Sequence, residues 1–222
     1  MLEGDERSAT LARFASLHYR AGLPSTCIRV LAACDAVGNI AGILCVSMPT
    51  LNAPWRARAW PELFGSLSHT SNAATVNLYV RTISRVIVAP TYRGSGIASL
   101  LIRAYLDNPL TPLTETLAAF GRFSPLFERC GMRRINFPAS RRDITLAKAL
   151  RDRRIAPWKL VSLDEATRVL ERDPALRCAV LAWARSSKST RRFAHERKPK
   201  LNRLLVLAAA GLVARPAAFV TP

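Results

Sequence analysis

The sequence predicts a mixed α/β fold with a central sheet, followed by a basic, mainly helical extension. Three observations predict it. Apolar, β-branched runs alternate with helix-like stretches as far as residue 138. One such run, Arg85-Val-Ile-Val-Ala89, passes through Pro90 and a glycine-rich turn directly into an amphipathic stretch. Beyond Pro138 the chain turns helical and strongly basic. These changes divide it into residues 1–138 and residues 139–222.

The elements follow in order. Glu6 to His18 reads as a helix, with Leu11, Phe14, Ala15 and Leu17 on one side. Ile28–Ala33 and Ile40–Met48 are strand-like, and Asp35-Ala-Val-Gly-Asn39 between them is a turn signal, so the pair reads as an antiparallel hairpin. Pro49–Asn72 reads as a loop and Val76–Ala89 as a strand region. Gly94–Asp107 carries Ile97, Leu100, Leu101, Ala104 and Tyr105 at helical spacing and ends at Asn108-Pro109. Thr114–Phe120 is a further strand, Pro125–Cys130 a short helix stopped by Gly131, and Met132–Phe137 a last strand before Pro138. In the second part Ser140–Leu150, Leu163–Glu171, Pro174–Trp183 and Leu201–Val213 read as helices, with Asp164 and Asp173 placed as caps or first-turn acids. Trp158-Lys-Leu-Val161 is a candidate strand for the first part's sheet.

Composition narrows the function classes. Half of the residues are apolar, enough for a packed core and against wholesale disorder. The net charge is +18, from 33 basic and 15 acidic residues. Charge of that size attracts polyanions: nucleic acid, phosphorylated ligands, an acidic partner or an anionic surface. Residues 141–222 hold 19 basic residues against 7 acidic ones, and the densest stretch is Arg185–Arg203. Arginine-favouring codon usage is the plainer source of such a balance. Five cysteines without C-x-x-C spacing suggest reduced thiols in a cytoplasmic protein, and three scattered histidines give no zinc pattern. The acidic first residues do not read as a secretory signal. The longest apolar run, Leu204–Val213, is about half of what a bilayer-spanning helix needs, so no membrane insertion is expected.

The chemistry is concentrated in Ser84-Arg-Val-Ile-Val-Ala-Pro-Thr-Tyr-Arg-Gly-Ser-Gly-Ile-Ala98. Gly94 and Gly96 allow close backbone approach, and the turn gathers N–H groups at the positive end of the following helix. That arrangement suits an anion, and a pyrophosphate best. A Walker A loop would need a Lys that is absent, and a dinucleotide fingerprint would need glycine where Ser99 stands.

This segment resembles the cofactor loop of the GNAT acyltransferase superfamily, of the form [QR]-x-x-G-x-[GA] after a strand ending in V-x-P. Here it is Arg93-Gly-Ser-Gly-Ile-Ala98 after Val88-Ala-Pro90. Phe127-Glu-Arg-Cys-Gly-Met132 is similar to the family's Y-x-x-x-G-F. The resemblance covers roughly residues 10–138. It implies a central mixed sheet with a V-shaped splay between two strands, and acetyl-CoA or another acyl-CoA as cofactor. Backbone N–H groups of Arg93, Gly94, Ser95, Gly96, Ile97 and Ala98 would then hold the pyrophosphate. The edge of Val86, Ile87 and Val88 would pair with the pantetheine arm. Two departures stand out: Phe127 replaces the family's proton-donating Tyr, and Ser124 is the nearest polar substitute for its Asn.

For a general base, carboxylates are sparse. Glu115, at the start of the strand implied to splay over the site, is preferred to Glu128, Asp107 and Glu62, with a salt-bridged strand end as the alternative. Leu17–Arg20, Val46–Asn52, Ile83–Pro90 and Leu117–Met132 resemble a Mom-type subgroup, linked to DNA modification and to ABC-type ATPases. That resemblance implies a nucleic-acid acceptor and an ATPase partner. Trp55-Arg-Ala-Arg-Ala-Trp60 interleaves aromatic and basic residues, so Trp55 and Trp60 are candidate base-stacking residues, or else pack a loop onto the core. Arg85 and Arg122 are candidates for the acceptor side, with ion pairing as the alternative. A GNAT-fold accessory protein with little transfer activity, or an acetyltransferase for a small-molecule or protein amine, are the competing functions.

Overall fold

A computed structural model describes residues 4–17, 24, 26–65, 69–214 and 216–222. The chain forms two units: residues 1–137 with 217–222, and residues 138–216. The break after Phe137 falls where the sequence changes texture. The last six residues, however, belong to the first unit rather than to the extension.

The first unit is built on a sheet. It opens with α1 (Gly4–Ala15), then the hairpin β1 (Cys27–Cys34) and β2 (Ile40–Ser47). Asp35 makes the turn: its Oδ1 accepts from the N–H groups of Val37 and Asn39, and Gly38 supplies the left-handed residue at φ 89°. Two short helices, α2 (Arg56–Ala59) and α3 (Pro61–Phe64), follow in what the sequence presents as loop. Then α4 (His69–Tyr79) runs without a break into β3 (Val80–Val88). Residues 76–79 are thus helical, not strand. Val76 and Val80 are both fully buried at the i, i+4 spacing, which fixes the junction.

After a 3-10 turn at Pro90–Tyr92 come α5 (Ile97–Asp107), β4 (Leu113–Ala118), α6 (Leu126–Arg129) and β5 (Arg133–Ile135). The second unit supplies α7 (Arg141–Asp152), α8 (Leu163–Arg172), α9 (Pro174–Arg185), α10 (Lys188–Ala194) and α11 (Leu201–Ala214). Finally β6 (Ala217–Val220) returns to the sheet. The six strands lie in the order β1-β2-β3-β4-β6-β5. All neighbours are antiparallel except β3 and β4. The helical unit is therefore an insertion between two paired strands: Ile135 sits opposite Ala218, so the chain leaves and re-enters the sheet at neighbouring points. Insertion costs little where entry and exit are adjacent.

The sheet is buried on both faces at its centre. Alternate residues of β2 go to opposite clusters. Leu44 and Val46 pack with Leu101, Ile102 and Tyr105 of α5, while Ile43 and Cys45 pack with Phe14 of α1 and Ile87. Leu100, read with the apolar face of α5, is 60% exposed instead.

The helical unit has its own core, with Leu146, Leu150, Leu170, Leu176, Val180 and Leu205 among its fully enclosed side chains. Three of its helices, α7, α8 and α9, begin on caps: Ser140 Oγ accepts from Asp143 N at 3.2 Å, Ser162 Oγ from Glu165 N at 3.4 Å, and Asp173 Oδ1 from Leu176 N at 2.9 Å. The Trp158–Val161 stretch is not a strand but part of a 3-10 turn opened by Pro157. Only Leu160 points inward, whereas Trp158 is 62% and Val161 61% exposed. Among the described residues, no helix is long and apolar enough to cross a membrane.

Candidate functional site: a split sheet and an N–H cradle

The parallel pair β3–β4 is short. Val80, Arg81 and Thr82 face Leu113, Thr114 and Glu115, and there the ladder ends. Thr116 then takes the next carbonyl with its side chain, Oγ1 donating to Ile83 O at 2.8 Å. Beyond this fork β3 stays on β2 while β4 stays on β6. Among the described residues, no strand pairs with the β4-facing edge of Ser84–Val88. This is the splay the resemblance implies. An edge without a strand neighbour is one that an extended, amide-bearing ligand can pair with.

At the open end of the wedge lies the turn after Val88. Pro90–Tyr92 form a single 3-10 turn, and Gly94 and Gly96 both take φ 85°. Gly96 is the N-cap of α5 and offers no side chain to its first N–H groups, and the first turn holds no acid. Among the described residues, the successive N–H groups from Gly94 to Ser99 have no backbone acceptor. The space above both glycines is open, since a Cβ at either would meet nothing within 4 Å. Donors without a backbone acceptor, a positive helix end and open space together make the turn a candidate anion site.

The turn is also braced. Tyr92 donates its hydroxyl to Asp35 Oδ2 at 2.6 Å, tying the cradle to the hairpin turn, and Ser95 Oγ donates to Tyr92 O at 2.5 Å. That Tyr92 bond, followed by Asn39, holds the Asp35 carboxyl down at about 2.

Glu115 sits at the fork but not as a base. It is 1% exposed. Its Oε1 accepts from Arg56 Nη2 and Thr82 Oγ1, and its Oε2 from Arg56 Nε and Trp55 Nε1. A carboxylate has about four acceptor positions, and all are filled. Taking a proton from an acceptor would require breaking a buried, two-pronged ion pair. The expectation of a catalytic Glu115 is therefore corrected to a structural one, close to the salt-bridged alternative. The signal was available: a lone Glu on an apolar strand needs a buried cation, and Arg56 lies in the aromatic–basic stretch singled out in the sequence.

That stretch is itself corrected. Trp55 is 7% and Trp60 8% exposed. Both pack with Phe64, Val76, Val80 and Ile135, and Trp55 also meets Phe137 at 5.4 Å between ring centroids. Neither presents a face to a base. Phe127 is likewise a core residue, its ring 5.2 Å from that of Phe219. Ser124 is half-buried in the turn before α6, with no described group hydrogen-bonded to its hydroxyl. Arg85 is half-buried on β3 opposite Cys45. Arg122 is exposed in the turn after β4. Of the segments behind the subgroup resemblance, residues 18–20 lie outside the described residues.

The molecule is thus a mixed α/β protein whose six-stranded sheet splits beside a glycine turn and a helix N-terminus. No protein-family model matches its sequence, and no curated protein does. Among solved structures it is similar to one described as a histone acetyltransferase HPA2 and related acetyltransferase from Corynebacterium glutamicum. The identity is 18%, over 50% of this chain and 56% of that one, with a TM-score of 0.31. The match spans about half the length of either chain, and a likeness so loose adds nothing to the strand order itself.

Proposed function

We propose that the protein is an acyl-CoA-dependent N-acyltransferase of the GNAT type, with nucleic acid as its acceptor in the manner of Mom-like base modification. The observation that carries the first part is the meeting of the split sheet with the N–H cradle at Gly94–Ser99. The residues fit such a donor: the cradle offers donors and a positive helix end to a pyrophosphate, and the Ser84–Val88 edge offers backbone groups to pantetheine amides. Bound acyl-CoA would supply the acyl group as a thioester, whose C–S bond breaks as an acceptor amine forms its C–N bond.

The chain's own groups position rather than exchange protons. Phe127 has no proton to give, and the acceptor sites of Glu115 are filled. A thiol with a pKa of about 8.5 leaves as thiolate without an acid. An exocyclic amine on a base is already neutral, so no base is needed to uncharge it before attack, and the proton it sheds as the amide forms goes to the departing thiolate. The missing acid–base pair therefore favours an aromatic amine over an aliphatic one.

Charge supports the nucleic-acid part. In the helical unit Arg185, Arg191, Arg192, Arg197, Lys198, Lys200 and Arg203 are exposed, with Glu196 the acid among them. An ABC-type ATPase is the protein partner that the subgroup resemblance suggests. The same missing acid and base favour a second reading, an accessory protein that binds acyl-CoA with little transfer. Mass spectrometry of nucleosides from cells with and without the protein tests the first. An acylated nucleoside found only in its presence is expected. Its absence, with acyl-CoA binding retained, selects the second.

A further inference from the structure

The turn that follows β4, Ala119-Phe-Gly-Arg-Phe-Ser124, is exposed in an unusual way. Phe123 is 79% and Phe120 47% exposed, and Arg122 between them is exposed too. Two phenylalanine rings left in water beside an arginine lack a reason within the fold.

The turn is held in this pose. Gly121 N donates to Ala118 O at 3.2 Å, Phe123 N to Phe120 O at 2.9 Å, and Ser124 N to Phe120 O at 3.1 Å. Gly121 is seated on β6 so closely that a Cβ there would come within 2.6 Å of the Phe219 ring and 3.0 Å of Ala217 Cβ. Only glycine allows that approach.

Position follows from topology. Because β4 runs parallel to β3, the turn after β4 lies at the same end of the sheet as the cradle after β3. It leads into α6, whose Leu126 packs on the same core cluster as Ile97, the first residue of α5. Cys130 Sγ donates to Ser99 O, in the first turn of α5, at 3.7 Å. The aromatic turn and the anion cradle therefore flank the same mouth.

We propose that this turn binds the nucleotide end of the acyl donor, with Phe120 and Phe123 against the adenine and Arg122 paired with the ribose 3′-phosphate. The inference rests on the acyl-CoA reading above. A ligand with its pyrophosphate in the cradle and its pantetheine arm in the wedge has its adenosine outside the mouth. There a planar base and a further phosphate need an aromatic face and a cation. A nucleic-acid base with its phosphate shares that chemistry. The common end of the sheet and the shared α5–α6 core favour the donor's own nucleotide.

Calorimetric titrations with CoA, dephospho-CoA and 4′-phosphopantetheine test this. The wild-type protein is expected to bind CoA at least about tenfold more tightly than 4′-phosphopantetheine. Phe123→Ala should weaken CoA by on the order of tenfold and leave 4′-phosphopantetheine unchanged. Arg122→Ala should remove the preference for CoA over dephospho-CoA. Both side chains are exposed, so folding is not at stake, and a melting curve checks this. CoA affinity unchanged in both variants overturns the inference while leaving the acyl-CoA reading intact. Loss of oligonucleotide binding with CoA affinity unchanged also overturns it and gives the turn to the acceptor. A wild-type protein that binds no CoA overturns both.

Discussion

The sheet unit holds 14 basic and 8 acidic side chains over residues 1–137 and 217–222, while the helical unit holds 19 and 7 over residues 138–216. The sheet unit's Arg56 and Glu115 are buried inside the fold, and Asp35 braces a turn. In the helical unit Arg153 and Asp173 pair near the surface, and the other basic side chains are mostly exposed. The sheet unit splits a ladder and leaves N–H groups without a backbone acceptor around one opening, whereas the helical unit caps three of its helices with side chains and encloses its core. Unused hydrogen-bonding capacity is what the proposed donor site rests on, and unused charge is what the proposed nucleic-acid surface rests on.

The largest effect that would break this contrast lies at the seam. Removing residues 217–222 deletes β6, the only described partner of β5 and the outer partner of β4, and takes away Ala218, Phe219 and Val220, all fully buried. The sheet unit should lose its cooperative melting. Excising residues 138–216 and joining the two ends by a short turn should leave it folded. A protein still folded after the first change would make β6 dispensable to the sheet, and a collapsed one after the second would make the helical unit part of the sheet unit's core.

Next in size is the buried pair. Glu115→Gln leaves Arg56 uncompensated and should destabilise the sheet unit by about 3–5 kcal/mol. Turnover per folded molecule should change far less than the ~10²–10⁴-fold loss of a general base. The Arg153–Asp173 pair, more than a quarter exposed on each side, offers the comparison. Breaking it with Arg153→Ala should cost far less than breaking the buried pair.

Much of this arrangement is legible in the sequence where local signals are strong. Pro90, Gly94 and Gly96 punctuate a strand, a turn and a helix, and the structure has all three there. Asp35-Ala-Val-Gly-Asn39 makes the hairpin turn, and Gly131 ends α6 at φ 90°. The remainder depends on partners far along the chain. Ala217-Ala-Phe-Val220 is a four-residue strand after a long apolar helix, and its pairing with Glu115–Ala118 bridges about a hundred residues that no local pattern spans. Glu115 reads as a base until Arg56, 59 residues away, is brought against it. Trp55 and Trp60 look like stacking residues until the short helices around them fold onto β3 and β6. Trp158–Val161 has strand-like composition, but Pro157 and a single inward residue make it a turn.

A smaller effect sharpens the charge side. If the exposed basic run meets phosphates, changing Arg191, Arg192, Arg197, Lys198 and Lys200 to Gln should flatten the salt dependence of nucleic-acid binding. The slope of log K against log salt should fall by roughly 0.9 for each phosphate no longer neutralised, with melting unchanged. A slope that does not move would place the binding surface elsewhere.

The smallest effect is the acid response of the cradle's brace. Asp35 titrates at about 2, below its ordinary value of 3.8. The folded value is the lower one, so the Asp35 contribution is fully present above about pH 4 and is lost as pH falls through about 2. Asp35→Asn should remove that part of the acid dependence, read by melting between pH 2 and 5. An unchanged profile would mean that Tyr92 braces the cradle without the carboxylate.

The central claim is that the N–H cradle at Gly94–Ser99 holds the pyrophosphate of an acyl-CoA, and Gly96→Asp is its most direct test. The substitution places a carboxylate in the space left for the anion. Gly96→Ala carries the same backbone cost at φ 85° without the carboxylate and serves as the control. Calorimetry with acetyl-CoA should show binding in the wild type and in Gly96→Ala and none in Gly96→Asp, with all three proteins folded. Equal acetyl-CoA affinity in the wild type and Gly96→Asp would contradict the assignment.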